Sequence, residues 1–132
     1  MIVVDTSVWI DFLAGKQTPN CLLLKSAINK SEDLCVCGVV ITEVLQGIRQ
    51  DKDFEKVFQI LNDLIYLSEQ KTTHILAAKI YRSLRKNGKT IRKPIDCIIA
   101  ATCIENSAFI LHNDRDFEFI SEYFPLQKYE DL

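Results

Sequence analysis

The sequence predicts an α/β layered fold built on a parallel sheet. Short apolar runs alternate along the chain with longer segments of helical periodicity. One of those runs, Leu34-Cys35-Val36-Cys37, is apolar on both faces, as in a strand covered on both sides. The chain has 132 residues, 48% of them hydrophobic, enough for one compact core without a disulfide or structural metal.

Each element has a local reason. Ile2-Val3-Val4 reads as a first strand. Asp5-Thr6-Ser7 has cap chemistry, and Val8 to Leu13 reads as a short helix ended near Gly15. After the turn Thr18-Pro19-Asn20 a second helix covers Cys21 to Ile28. Leu34 to Cys37 is the second strand, and Val40 to Ile48 and Phe54 to Leu61 are helical. Ile65-Tyr66-Leu67 is the third strand. Thr73 to Lys86 is amphipathic, with Leu76, Ala77, Ile80 and Leu84 on one face and Lys79, Arg82 and Lys86 on the other. Asn87-Gly88 stops it, and Pro94 is placed to open the next helix. Cys97 to Ile104 is apolar nearly all round, which makes that helix central. Phe109-Ile110-Leu111 is the fourth strand, Asp116 to Tyr123 a helix, and Leu126-Gln127-Lys128 an edge strand. No repeat, linker or break in composition divides the chain, so residues 1–132 read as a single domain.

Composition excludes several classes. Four Gly and three Pro are too few for collagen-like or low-complexity sequence. A formal net charge of −2 with average hydropathy argues against disorder. The apolar runs are far shorter than a membrane span, and Met1 to Asp5 lacks the basic start of an export signal. The five cysteines are odd in number and form no CxxC pair or zinc pattern. They read as reduced core residues of a cytoplasmic protein. Charge is uneven. Lys71 to Ile95 holds eight of the 16 Lys and Arg and none of the 18 Asp and Glu. A domain-wide basic footprint is therefore absent, which leaves that segment as a local polyanion contact or a solvated helix face.

Four carboxylates stand out. Asp5 directly follows the first strand, and Asp114 follows the fourth after His112-Asn113. If those strands pair, both acids sit at the carboxyl edge of the sheet, where ligand sites form. Glu43 lies within Val39-Val40-Ile41-Thr42-Glu43-Val44-Leu45, and Asp96 opens the most apolar helix. Each has a structural alternative. Asp5 and Asp114 can cap helices, Asp96 can favour a first turn through the helix dipole, and Glu43 can face solvent. Converging, they repel one another unless a hard divalent cation such as magnesium or manganese relieves them. No histidine or lysine is placed to neutralise them.

The motifs Val4-Asp5-Thr6-Ser7, Ile41-Thr42-Glu43-Val44-Leu45-Gln46-Gly47, Ile95-Asp96-Cys97-Ile98-Ile99-Ala100-Ala101 and Asn113-Asp114-Arg115-Asp116-Phe117 occur in this order. Together they resemble the PIN-domain ribonucleases, most closely the VapC-type toxins of toxin–antitoxin pairs, from Ile2 to about Phe124. The resemblance implies a three-layer fold with strands ordered 3-2-1-4-5. It implies a Mg2+- or Mn2+-dependent endoribonuclease that leaves 5′-phosphate and 3′-hydroxyl ends, a cognate antitoxin and a homodimer. Asp5, Glu43 and Asp96 match the family's metal-site acids, Asp114 the fourth, and Asp116 is a second candidate for that place. Thr6 matches a hydroxyl that supports the first acid or its water. One departure is His112, where relatives commonly carry threonine. It is expected either to hydrogen-bond a carboxylate or to face solvent, and His74 to be structural or exposed.

Lys79, Arg82, Lys86, Lys89, Arg92 and Lys93 lead along the chain toward Asp96 and are the candidate RNA contacts. Three other readings compete. A PIN-like nuclease of RNA processing that is not a toxin would be distinguished by its neighbouring gene. A catalytically silent PIN-fold binding module would have lost an acid. A phosphohydrolase of small phosphoesters would carry a nucleophilic Asp motif or a phosphate loop, and neither is present.

Overall fold

A computed structural model describes residues 1–130. Five strands, β1 (Ile2–Val4), β2 (Leu34–Cys37), β3 (Ile65–Leu67), β4 (Phe109–Leu111) and β5 (Gln127–Lys128), form one sheet ordered β3-β2-β1-β4-β5. Every neighbouring pair is parallel, with Val3 opposite Cys35 on one side of β1 and Ile110 on the other. The central strands are short apolar runs with no exposed face. Val3, Val4, Cys35, Val36, Cys37, Ile110 and Leu111 are all buried. Parallel strands need helical crossovers, and those helices cover both faces of the sheet.

Seven helices supply the cover among the described residues: α1 (Thr6–Leu13), α2 (Pro19–Asn29), α3 (Gly38–Gln46), α4 (Asp51–Asn62), α5 (Lys71–Lys86), α6 (Ile95–Glu105) and α7 (Arg115–Tyr123). The Thr18 hydroxyl accepts the Cys21 N–H at 3.2 Å and caps α2, with Pro19 in its first turn. α5 starts two residues earlier than its apolar stripe predicts, because the Thr73 hydroxyl accepts the Gln70 N–H at 2.9 Å and secures the first turn. Its far end is closed by Asn87 and by Gly88 at φ +76, a left-handed conformation that glycine adopts without strain. α6 is the central helix. Cys97, Ile99, Ala100, Ala101 and Cys103 are buried, and α5, α3 and α7 all pack against it.

Like α5, α1 and α3 begin earlier than the sequence suggests. α1 starts at Thr6, with only Asp5 between it and the end of β1 at Val4. α3 starts at Gly38, immediately after Cys37. Strand thus passes into helix with at most one residue between them. At Gly38 a side chain would have its Cβ 3.2 Å from the Tyr66 hydroxyl and 3.3 Å from Glu69 Oε2, so glycine permits that join. The joins also bring the residues that follow β1 and β2 to one edge of the sheet. The Asp5 N–H donates to the Leu111 carbonyl at 3.0 Å, tying the end of β1 to the end of β4. All five cysteines are buried and unbridged. No helix among the described residues is long and apolar enough to cross a membrane.

Candidate active site

Asp5 is the last residue before α1 and is 4% exposed. It stands at the N-cap position without capping the helix through its side chain. Its Oδ2 instead accepts the Ser7 hydroxyl at 2.9 Å. Burial raises its pKa, and the Ser7 hydrogen bond opposes that rise.

Asp96, in the first turn of α6, is 3% exposed. Its Oδ2 is fully buried with no hydrogen-bond partner. Burial, then the charges of Asp5, Asp114 and Glu43, push its pKa up to about 7, against an opposing pull from Lys93. A buried acceptor left unsatisfied costs about 1–3 kcal/mol, and more when it is charged.

Asp114 is the N-cap of α7, at the end of the turn from β4, and Asp116 lies in the first turn of that helix. One oxygen from each of Asp96, Asp114 and Asp116 lies within 4.8 Å of the others. Asp116, the second candidate for the fourth acid, is therefore as central as Asp114 and more deeply buried, at 2% exposure. Asp114 also caps α7. Its Oδ1 accepts the Asp116 N–H at 2.9 Å, so the capping alternative holds for Asp114 while it fails for Asp5.

Glu43 is half-buried on α3, and its Oε1 accepts the Thr6 hydroxyl at 2.9 Å. Thr6 thus hydrogen-bonds Glu43 rather than the first acid, and Ser7 supports Asp5. The reason is geometric: α1 begins at Thr6, so its first residue faces α3 while Ser7 turns back on the strand end. Asp5 and Glu43 lie outside the tight group of three, but both charges act on Asp96.

Two expectations about cations and histidine need correction. The acids are not without basic neighbours. Arg92 reaches Asp114 Oδ1 at 3.6 Å and Asp116 Oδ2 at 3.8 Å, and its backbone N–H donates to Asp116 Oδ2 at 3.3 Å. Lys93 is close enough to lower the pKa of both Asp5 and Asp96. These residues follow α5 in an irregular segment, so no periodicity pointed at them. His112 neither binds a carboxylate nor faces solvent. It is 1% exposed, its ring lies 5.0 Å from that of Phe117, and its Nδ1 accepts the Asp114 backbone N–H at 3.0 Å. Burial pushes its pKa down to about 4, so the ring is neutral at physiological pH. His74 is exposed.

The remaining basic residues divide. Lys79, Arg82 and Lys86 are exposed on α5. Arg82 lines a cleft with Tyr81, Pro94 and Ile98, at the start of the helix that carries Asp96. Lys89 is half-buried, its ammonium 4.3 Å from the centre of the Phe119 ring.

The group of three offers only carboxylate oxygens, one of them unsatisfied. That donor set fits a hard divalent cation that keeps some of its own waters. It does not suit nucleophilic catalysis by cysteine. Burial raises the pKa of Cys35 and Cys103, and pushes those of Cys37 and Cys97 up to about 11.

A family model described as PIN domain matches residues 2–122. The chain is 30% identical over 129 residues to VapC ribonuclease Mb1587 of Mycobacterium bovis and to ribonuclease VapC11 of Mycobacterium tuberculosis. In each case the match covers 96% of this chain and 96% of the relative. Among solved structures it is similar to a chain of VapBC2 from Rickettsia felis bound to a DNA fragment from its promoter. The TM-score is 0.76 at 16% identity, over 98% of this chain and 100% of that one; at that identity the likeness shows the fold.

Proposed function

The chain belongs to the PIN domain family, and on that premise we propose that it is a metal-dependent endoribonuclease, a single nuclease domain acting as the toxin of a toxin–antitoxin pair. The observation that carries this reading is the buried, unpartnered Oδ2 of Asp96 beside Asp114 and Asp116. Names of relatives aligned end to end with this chain support ribonuclease activity.

Asp96, Asp114 and Asp116, with Asp5 behind them, would hold Mg2+ or Mn2+. When bound, such an ion makes water more acidic and draws negative charge from a phosphodiester in the transition state. The chain's own groups do the rest. Thr6 fixes one oxygen of Glu43, leaving the other to orient the attacking water and take its proton. Ser7 holds the Asp5 carboxylate in place. Attack opposite the 3′-oxygen then breaks the P–O3′ bond, the departing oxygen takes a proton from solvent water, and 5′-phosphate and 3′-hydroxyl ends result. Arg82, Arg92 and Lys93, with Lys79 and Lys86 further out, bring the polyanion toward acids that would otherwise repel it, while Lys89 is held on the Phe119 ring.

An antitoxin is supported by a cleft of about 550 Å³ lined by Trp9, Phe12, Ile28, Leu34, Ile60 and Ile65, with Glu32, Asp33 and Asp63 at its rim. That chemistry suits an apolar segment with basic flanks. We place the protein in the cytoplasm and expect it to act as a homodimer.

The test is cleavage of RNA by the purified protein with Mn2+, with Asp96→Asn as control. The wild type should cut and the variant should lose cleavage by at least about 100-fold, while its circular dichroism is unchanged. Full cleavage by the variant with metal present would sink the site. Sequencing RNA 5′ ends after induction in cells, against Asp5→Asn, then identifies the target.

A further inference from the structure

We propose that His112 is a positioning residue: the Nδ1 lone pair of its ring holds the Asp114 N–H and so fixes the turn that sets Asp114 and Asp116 against Asp96. The inference deepens the nuclease reading and rests on it for its link to metal binding.

The turn is built from two successive bonds of one kind. His112 Nδ1 accepts the N–H two residues on, at 3.0 Å. Asp114 Oδ1 then accepts the N–H two residues further, at 2.9 Å. A side-chain acceptor taking the N–H two positions ahead is the bond by which Asn, Asp, Ser and Thr shape local backbone. Here an imidazole makes it. The ring cannot drift, because it is 1% exposed and packs on Phe117, which is fully buried. The position of the ring in the core thus passes through one hydrogen bond to the backbone of Asp114. From there it passes through a second bond to Asp116. Accepting at Nδ1 requires the tautomer with hydrogen on Nε2.

The experiment uses the full chain and three readings. In the wild type, nitrogen NMR should find Nδ1 without hydrogen, and the Asp114 amide should exchange slowly. His112→Leu removes the acceptor. It should speed exchange of the Asp114 amide and weaken Mn2+ binding by about tenfold or more, the usual effect of losing a group that orients metal ligands. His112→Asn, whose Oδ1 can take the place of Nδ1, should restore most of both. Wild-type Mn2+ affinity in a folded Leu variant, or a wild-type ring carrying its hydrogen on Nδ1, would overturn the proposal. If the Leu variant fails to fold, the wild-type tautomer and the Asn variant decide. If the wild type binds no Mn2+ while the Leu variant selectively loses Asp114 protection, the metal-site reading fails and the positioning role stands.

Discussion

Asp96 carries the sharpest conflict between folding and function. It is buried at the head of the central helix, and its pKa is raised from 3.8 to about 7 by burial first and by neighbouring acids second. Without metal, the folded chain keeps this proton over a pH range in which the unfolded chain has lost it. The folded state therefore binds more protons, and stability falls as pH rises from about 4 to about 7. Asp96→Asn has no proton to lose, and its amide can donate to Asp114 or Asp116. In EDTA the variant should show a flatter stability profile across that window and gain up to a few kcal/mol at pH 8, measured by urea unfolding. Parallel profiles would mean that Asp96 is not held protonated. His112 makes a second point at this scale. Whether a buried ring meets a carboxylate, solvent or a backbone N–H depends on the path of the turn after it, which composition does not specify. Its titratable character was legible in the sequence, and its partner was not.

At the scale of elements, the basic segment is two things rather than one. The amphipathic pattern of α5 correctly separated the exposed Lys79, Arg82 and Lys86 from the buried Ala77, Ile80 and Leu84. Beyond Asn87 no periodicity applies, and charge alone could not tell Lys89 on the Phe119 ring from Arg92 on two aspartates. The two kinds of lysine and arginine should separate in experiment. Arg82→Gln should flatten the salt dependence of RNA binding by about 0.7 of a slope unit, the value for one lost contact to a single strand, and raise KM more than it lowers kcat. Lys89→Gln should leave the salt slope unchanged and cost about 0.5–1 kcal/mol of stability. An unchanged slope for Arg82→Gln would return that face to solvent. The sheet itself was legible, since β1, β2 and β4 are apolar runs flanked by turn residues. Helix starts were less so. At Asp5-Thr6 and Cys37-Gly38 the chain passes from strand to helix with at most one residue between them, and a loop is what sequence patterns detect.

Across the whole molecule, parallel topology concentrates negative charge. Every strand of a parallel sheet points its carboxyl end the same way, and with the order β3-β2-β1-β4-β5 the chain departs in opposite directions from β1. Asp5 leaves β1 at that point, Asp114 leaves β4 beside it, and α3, directly after β2, brings Glu43. That the sheet's order would gather the acids was legible through the assumed pairing of β1 with β4 and through the strand order that the family resemblance implies, because no local pattern fixes which strands are neighbours. The cost of gathering them is set by the fold and is relieved in part by Arg92, an internal cation whose side chain remains largely exposed. A divalent ion would compete with Arg92 for Asp114 and Asp116. Metal binding should therefore raise stability by linkage, about 2.7 kcal/mol at 100 times Kd, which for a chain of this size is a rise in melting temperature of about 10 °C. Arg92→Gln should lower the melting temperature in EDTA, because the acids lose their counter-charge, and should show a larger rise than the wild type when Mn2+ is added. Scanning calorimetry in EDTA and over a Mn2+ titration measures both effects. Equal Mn2+ shifts for wild type and variant would show that Arg92 and the ion do not share their carboxylates, and no shift in the wild type would remove the metal from the site altogether.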